Sequence, residues 1–391
     1  MLRFVTTADT EILATAAAVQ RLGDEFPAVR CANPAGAIDQ SAFVDELLDG
    51  AAVVLCRILG GRRGWPDGFD LLRTRCAERK IALLALGGEL EPDAEMTQLS
   101  LAPAGAVAQA GEYLRHGDVG NVEQLLRFLA DTFLLEGHGF EPPHEVADLG
   151  VYVPGVGDVE LHEALARHDP AKPTIGICFY RSHRITGNAT WVDELARQIE
   201  ATGANALAVW STTLRRDADG NVPALSLLDG RVDALLVTML ATGGSHGGDQ
   251  VGGSGNGSVG NPAEQRWDAR ALEALDVPVL QAVCATSSRA AWEESASGLA
   301  PLDAATQVAI PEFDGRLLGG VISFKEREVG ASSVGIPVPR YVPDHERCRR
   351  VACLAVRSAR LRSTPPAERR VAVMLTNFPT RHARVGMAVG L

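Results

Sequence analysis

Short, fully apolar runs alternate with amphipathic stretches along most of the chain. LRFVTT is followed by helical spacing through TEILATAAAVQRL, then AAVVLCRIL, FDLLRTRCAERK and IALLAL. Apolar runs of strand length separated by helices with one apolar face predict a parallel sheet with crossover helices. A helix through NVEQLLRFLADTFL closes this first unit at about residue 140. Residues 138–157, HGFEPPHEVADLGVYVPGVG, are rich in Pro and Gly and lack a period, which predicts a linker over 141–171. A second α/β unit spans 172–330: PTIGICFY, the helix TWVDELARQIEATG, NALAVW, DALLVTM and VPVLQAVC. Within it, residues 242–261 hold nine glycines in twenty and predict a loop leaving the carboxyl end of a strand.

The β-rich stretch QVAIPEFDGRLLGGVISFKE predicts a hairpin, and residues 331–370 predict a connecting helical segment through HERCRRVACLAVRSARLRST. RRVAVMLTNFP, within 371–391, has the pattern of a further strand that opens a third α/β unit. The predicted class is α/β: tandem doubly wound parallel-sheet units, flavodoxin-like or periplasmic-binding-like, with a third begun. The unfinished unit predicts that the chain is the N-terminal portion of a larger protein.

Composition removes several classes of function. A net charge of -12 argues against nucleic-acid binding, which needs a basic face. The charge is uneven: residues 341–391 carry ten Arg against Asp344, Glu346 and Glu368. Seven scattered cysteines without CxxC spacing predict reduced core residues of a cytoplasmic protein. No apolar run reaches the ~20 residues of a membrane span.

Candidate chemistry concentrates at strand ends. ICFYRSHRITGNATW, residues 177–191, places Arg181, Ser182, His183, Arg184, Thr186 and Gly187 between a parallel strand and a helix, where open α/β sheets bind ligands. Arg181 and Arg184 offer bidentate donors to a carboxylate. His183 suits a proton acceptor, a metal ligand or a pin for the loop. Asn188 or Thr190 is a plausible helix cap. TNFPTRHARVG repeats the design with Asn377, Arg381 and Arg384, and the expected hairpin carries Glu312, Asp314, Arg316 and Lys325. The chain contains no GxxxxGK[ST], GxSxG or HExxH. Without a resemblance, a non-catalytic α/β ligand-binding module explains the same features.

Three segments together, PTIGICFYRSHRITGNATWVDELARQIEATGANALAVW, IPEFDGRLLGGVISFK and RRVAVMLTNFPTRHARVGMAVGL, resemble the large subunits of the cobaltochelatase and magnesium chelatase family. GGRRGWPDGFDLL, residues 60–72, is similar to a segment of the CobN branch, and the likeness runs from about residue 50 onward. The resemblance implies a tetrapyrrole-binding subunit of an ATP-dependent cobaltochelatase that inserts Co²⁺ into hydrogenobyrinic acid a,c-diamide during aerobic cobalamin synthesis. A CobS-like AAA+ ATPase and a CobT-like or ChlD-like partner would hydrolyse ATP, with Mg²⁺. Magnesium insertion into protoporphyrin IX by a large subunit of the magnesium chelatase H type is the alternative. Insertion needs a base for the ring N–H protons, a nitrogen ligand suited to cobalt, and cations for the ring carboxylates. With the resemblance, the arginines become candidate anchors for the ring carboxylates, and His183 stays open as metal ligand, base or loop pin. It implies no tightly bound cofactor, and it implies that this portion alone is inactive.

Overall fold

The computed structural model describes residues 1–88, 92–217, 219–239, 270–327 and 332–372. The first sheet contains β1 (Leu2–Thr6), β2 (Val29–Ala32), β3 (Val53–Ile58) and β4 (Ala82–Gly87), in the order β2-β1-β3-β4. All its pairings are parallel. Both faces are covered, which is why these strands are nearly continuous apolar runs rather than alternating ones. Helices Asp9–Leu22, Ala104–His116 and Val119–Leu129 pack one face; Gln40–Leu47, Pro66–Arg79 and Ala94–Leu99 pack the other.

The second sheet has β5 (Leu149–Val153), β6 (Gly157–Val159), β7 (Thr174–Tyr180), β8 (Asn205–Ser211), β9 (Ala234–Val237), β10 (Val279–Ala285), β11 (Leu317–Arg327) and β12 (Pro339–Pro343). Its order is β12-β11-β10-β9-β7-β8-β5-β6. The five central strands are parallel, and antiparallel strands flank them on both sides. Helices Thr190–Ala201 and His345–Ser363 cover one face, with Trp191, Leu195, Ile199, Val351 and Val356 fully buried there. Burying each such side chain is worth about 1.5–3 kcal/mol. The order of the sheet reverses between β7 and β9, so a crevice at their carboxyl ends is the expected ligand position.

Three expectations need correction. The 141–171 segment is no simple linker: β5 and β6 form an antiparallel hairpin that extends the second sheet at β8. Gly150 in β5 has no side chain because a Cβ there would sit 2.5 Å from the Trp210 ring. Residues 331–370 are no separate connector either, since β12 pairs with β11 and the helix His345–Ser363 covers the second sheet. Finally, PEFDGRLLGGVISFKE is not a hairpin. It is the end of the short helix Ile310–Glu312, a turn through Gly315 (φ +75°), and one long strand parallel to β10. The expected third unit lies almost wholly in 373–391, outside the described residues, as does the glycine-rich 242–261 segment.

The two sheets meet through named contacts. The Cys31 amide donates to the Val334 carbonyl at 2.9 Å, and Lys325 Nζ on β11 lies 2.8 Å from Asp9 Oδ2 at the start of the first helix. Both charges of that pair are partly exposed, so its contribution is small. Lys325→Met is expected to lower stability by about 1 kcal/mol or less. Urea unfolding at low and high salt checks it: the difference between wild type and variant should shrink as salt rises.

Candidate functional site at the carboxyl end of β7

β7 is buried from Thr174 to Phe179 and lies between β8 and β9. Beyond Tyr180 the chain makes one helical turn, Arg181–Ile185, where the sequence predicted an irregular loop. It then reverses at Gly187, whose φ of +71° favours a residue without Cβ, and enters the helix Thr190–Ala201. Thr238, just past β9, donates from its amide to the Cys178 carbonyl at 3.1 Å. The basic turn and the exit toward the glycine-rich segment therefore flank one switch point.

The residues of the turn face in different directions. Arg181 is buried, and its Nε and Nη2 donate to the Ala147 and Val146 carbonyls at 2.7 and 3.1 Å. Burial lowers its pKa foremost, with Asp148 and Asp118 opposing. It ties the 146–147 backbone to the site instead of presenting its donors to a ligand. His116 completes the strap by accepting the Val146 amide at Nδ1, 3.2 Å away. Thr186 is buried, with its hydroxyl donating to the Ser182 carbonyl at 2.6 Å. Ser182 is half-buried, and Gly187 is exposed. Arg184 lies toward solvent, 2.8 Å from Asp158 and 5.1 Å over the Tyr152 ring. The cap expectation fails: Ala189 occupies the N-cap with no side-chain bond. Asn188 Oδ1 instead accepts the Tyr341 amide at 2.9 Å, and the Thr190 hydroxyl donates to the Tyr341 carbonyl at 3.4 Å.

His183 is the sharpest feature. Its ring stands edge-on to Trp191 (5.5 Å, 88°) and to Tyr341 (5.3 Å, 74°). The residue as a whole keeps some exposure, yet Nδ1 is sealed from water and has no partner among the described residues. Burial above all, then the charge of Lys325, pulls its pKa down to about 4 against a hydrogen bond with the Asn188 backbone. The imidazole is therefore neutral at physiological pH, the form that acts as a ligand or accepts a proton. Lys325 sits 5.4 Å from the Tyr341 ring centroid, with its charge matched by Asp9.

Arg316 and Asp314 lie apart from this ring cluster. They form an ion pair of 2.7 Å with both side chains fully buried. Arg316 Nη1 also donates to the Met239 carbonyl at 2.7 Å and to Gln281 Oε1 at 2.8 Å. The pair holds the last described residue before the 240–269 segment. Glu312 ends its helix nearby in sequence. Asn377, Arg381 and Arg384 lie outside the described residues. Among the described residues no group of three or more His, Cys, Asp and Glu could hold a metal ion.

Sequence reasoning missed Tyr341, Trp191 and Asp9. Tyr341 reaches the site from 158 positions beyond His183 through β12; its local sequence, VPRYVP, carries no signal of that.

The sequence model of the CobN/Magnesium Chelatase family matches residues 111–391. The aerobic cobaltochelatase subunit CobN of Pseudomonas aeruginosa is 31% identical over 98% of this chain and 29% of that protein. The H-type subunit of the magnesium chelatase of Rhodobacter capsulatus is 28% identical over 82% of this chain and 28% of that protein. Among solved structures, the catalytic subunit of cobaltochelatase from Mycobacterium tuberculosis superposes with a TM-score of 0.67 at 37% identity, covering all of this chain and 29% of that one. The chain thus spans less than a third of the length of these relatives.

Proposed function

The chain belongs to the CobN/magnesium chelatase family, and we propose that it contributes tetrapyrrole-binding surface to the large subunit of an ATP-dependent cobaltochelatase. The substrates in this reading are Co²⁺ and hydrogenobyrinic acid a,c-diamide, and ATP is hydrolysed by a separate AAA+ subunit and its partner in the cytoplasm. What supports the cobalt branch is the likeness along the entire chain to a cobaltochelatase catalytic subunit, at 37% identity. The magnesium-branch relative matches over a smaller part. Free cysteines, six of the seven buried, fit a reducing compartment. No helix among the described residues is long and apolar enough to cross a membrane.

Within the site, Arg184 anchors a ring carboxylate from the exposed side of the turn, and Ser182 lies beside it. Neutral His183 is the residue that takes a pyrrole proton or a coordination position on cobalt, a role that requires its sealed Nδ1 to be uncovered first from between the Trp191 and Tyr341 rings. Arg181, Thr186 and Gly187 shape the turn, and Asn377, Arg381 and Arg384 are proposed to bind the same macrocycle. Lys325 and Asp9 fix Tyr341 against the imidazole.

Full-length protein supplied with its ATPase partners, the corrin diamide and Co²⁺ tests the reading through corrin binding and appearance of the cobalt product. Failure of both sinks it, and magnesium insertion into protoporphyrin IX instead assigns the magnesium branch. Corrin binding without insertion of either metal would leave only a ligand-binding module. Arg184→Ala should weaken corrin binding about tenfold or more, the loss of one charge-assisted contact, while the loss of its Asp158 and Tyr152 contacts lowers stability by about 1 kcal/mol or less. Equilibrium titration of the variant with the corrin measures it.

A further inference from the structure

We propose that the pocket where β1 and β2 meet residues 335–336 binds a small multivalent oxyanion. This inference does not rest on the chelatase reading. Arg3 and Arg30 are direct register partners on the parallel strands β1 and β2. Like charges placed opposite each other are destabilising in a sheet. Both line one cavity of about 190 Å³, walled by Phe43, Leu47 and Ile336. That volume admits a phosphate-sized group, since a water occupies about 30 Å³.

The two arginines are under-matched in a particular way. Arg3 is only 4% exposed. Its Nε donates to the Leu47 carbonyl at 2.6 Å and its Nη2 to the Asp49 carbonyl, but Nη1 has no partner among the described residues. A buried guanidinium ordinarily has its donors satisfied, because leaving one unmade costs its desolvation. Burial and then the charge of Arg30 both lower the Arg3 pKa, with Asp49 opposing. Arg30 itself is exposed. Its stem runs past Gly335, where a Cβ would come within 3.3 Å of Arg30 Cγ and the φ is +78°. Glu46 also borders the cavity, and its carboxylate disfavours a second anion at the rim.

An oxyanion in the cavity would accept from Arg30 and offset the repulsion between the two forks, and a turn of the Arg3 guanidinium that brings its sealed Nη1 to the cavity would let it make the missing bond as well. Because Gly335 and Ile336 form one wall and Val334 accepts the Cys31 amide, occupancy would also tighten the contact between this segment and the first sheet.

Thermal unfolding of the chain titrated with inorganic phosphate, with succinate, and with sodium chloride at matched ionic strength tests the site. Phosphate is expected to raise the midpoint saturably beyond the chloride control. In Arg30→Gln, at an exposed position, half-saturation should need at least tenfold more phosphate. Arg3→Lys, which keeps the charge but loses the fork, should behave likewise if it folds. Succinate matching phosphate would identify the natural ligand as a carboxylate in the same site, and phosphate alone would identify a phosphate. A phosphate shift no larger than that of chloride, or one unchanged in Arg30→Gln, overturns the proposal.

Discussion

Arg316→Met should destabilise the second unit by about 3–5 kcal/mol, the usual cost of removing one partner from a buried ion pair. The substitution leaves the Asp314 carboxylate, fully buried at 0% exposure, without the guanidinium 2.7 Å away. It also strips donors from the Met239 carbonyl and from Gln281 Oε1. The pair is not expected to be indispensable for net stability, because desolvating two charges offsets most of their attraction. The double variant Asp314→Leu with Arg316→Met should therefore recover much of the loss. Urea unfolding of both variants decides it: a single-variant loss under about 1 kcal/mol, or a double variant no better than the single, would be incompatible with a buried pair of this kind.

Both this pair and the basic turn show what a sequence discloses and what it hides. Apolar runs such as ICFY and VVLC located β7 and β3 because a strand buried on both faces has no alternative to continuous hydrophobicity. The segment between the units misled because its Pro and Gly composition describes the turn of the β5–β6 hairpin as well as it describes a linker. Arg181 looks identical in sequence whether it points out or in. What turns it inward is a pair of carbonyls at Val146 and Ala147, 35 and 34 positions upstream, and no local pattern encodes them. The same holds for Arg316, placed by expectation in a hairpin and found with its side chain at 0% exposure. Arg184, by contrast, stands near solvent beside Asp158 as its residue type suggested. His183 was legible as a residue of interest but not as a neutral one, because its environment is assembled by Trp191 from the next helix and Tyr341 from the sheet edge.

That environment sets the second large effect, a loss of stability on mild acidification that belongs to His183. Its folded-state pKa of about 4 lies below the ordinary 6.5, so the unfolded chain binds the proton more readily. Stability from this group is fully present above about pH 6.5, falls as the pH drops through 6 and 5, and levels off below about 4. A shift of that size corresponds to roughly 3 kcal/mol. Of the groups around the ring, only the Asn188 backbone hydrogen bond favours a positive charge; burial against Trp191 and Tyr341 disfavours it, as does the cation Lys325, whose own partner is Asp9. Carboxylates titrate in part of the same window, so the measurement is a difference. Urea unfolding of wild type and His183→Gln between about pH 7.5 and 4 should show the wild type losing about 3 kcal/mol more than the variant. Parallel curves, or an imidazole that titrates near 6.5 by NMR, would refute the assignment. The same titration bears on chemistry, since only the neutral ring offers a lone pair to a pyrrole proton or to cobalt. If His183 acts in this way, metal insertion by the full-length protein should hold steady down to about pH 5, well below where an ordinary histidine would have been protonated, for as long as the fold survives.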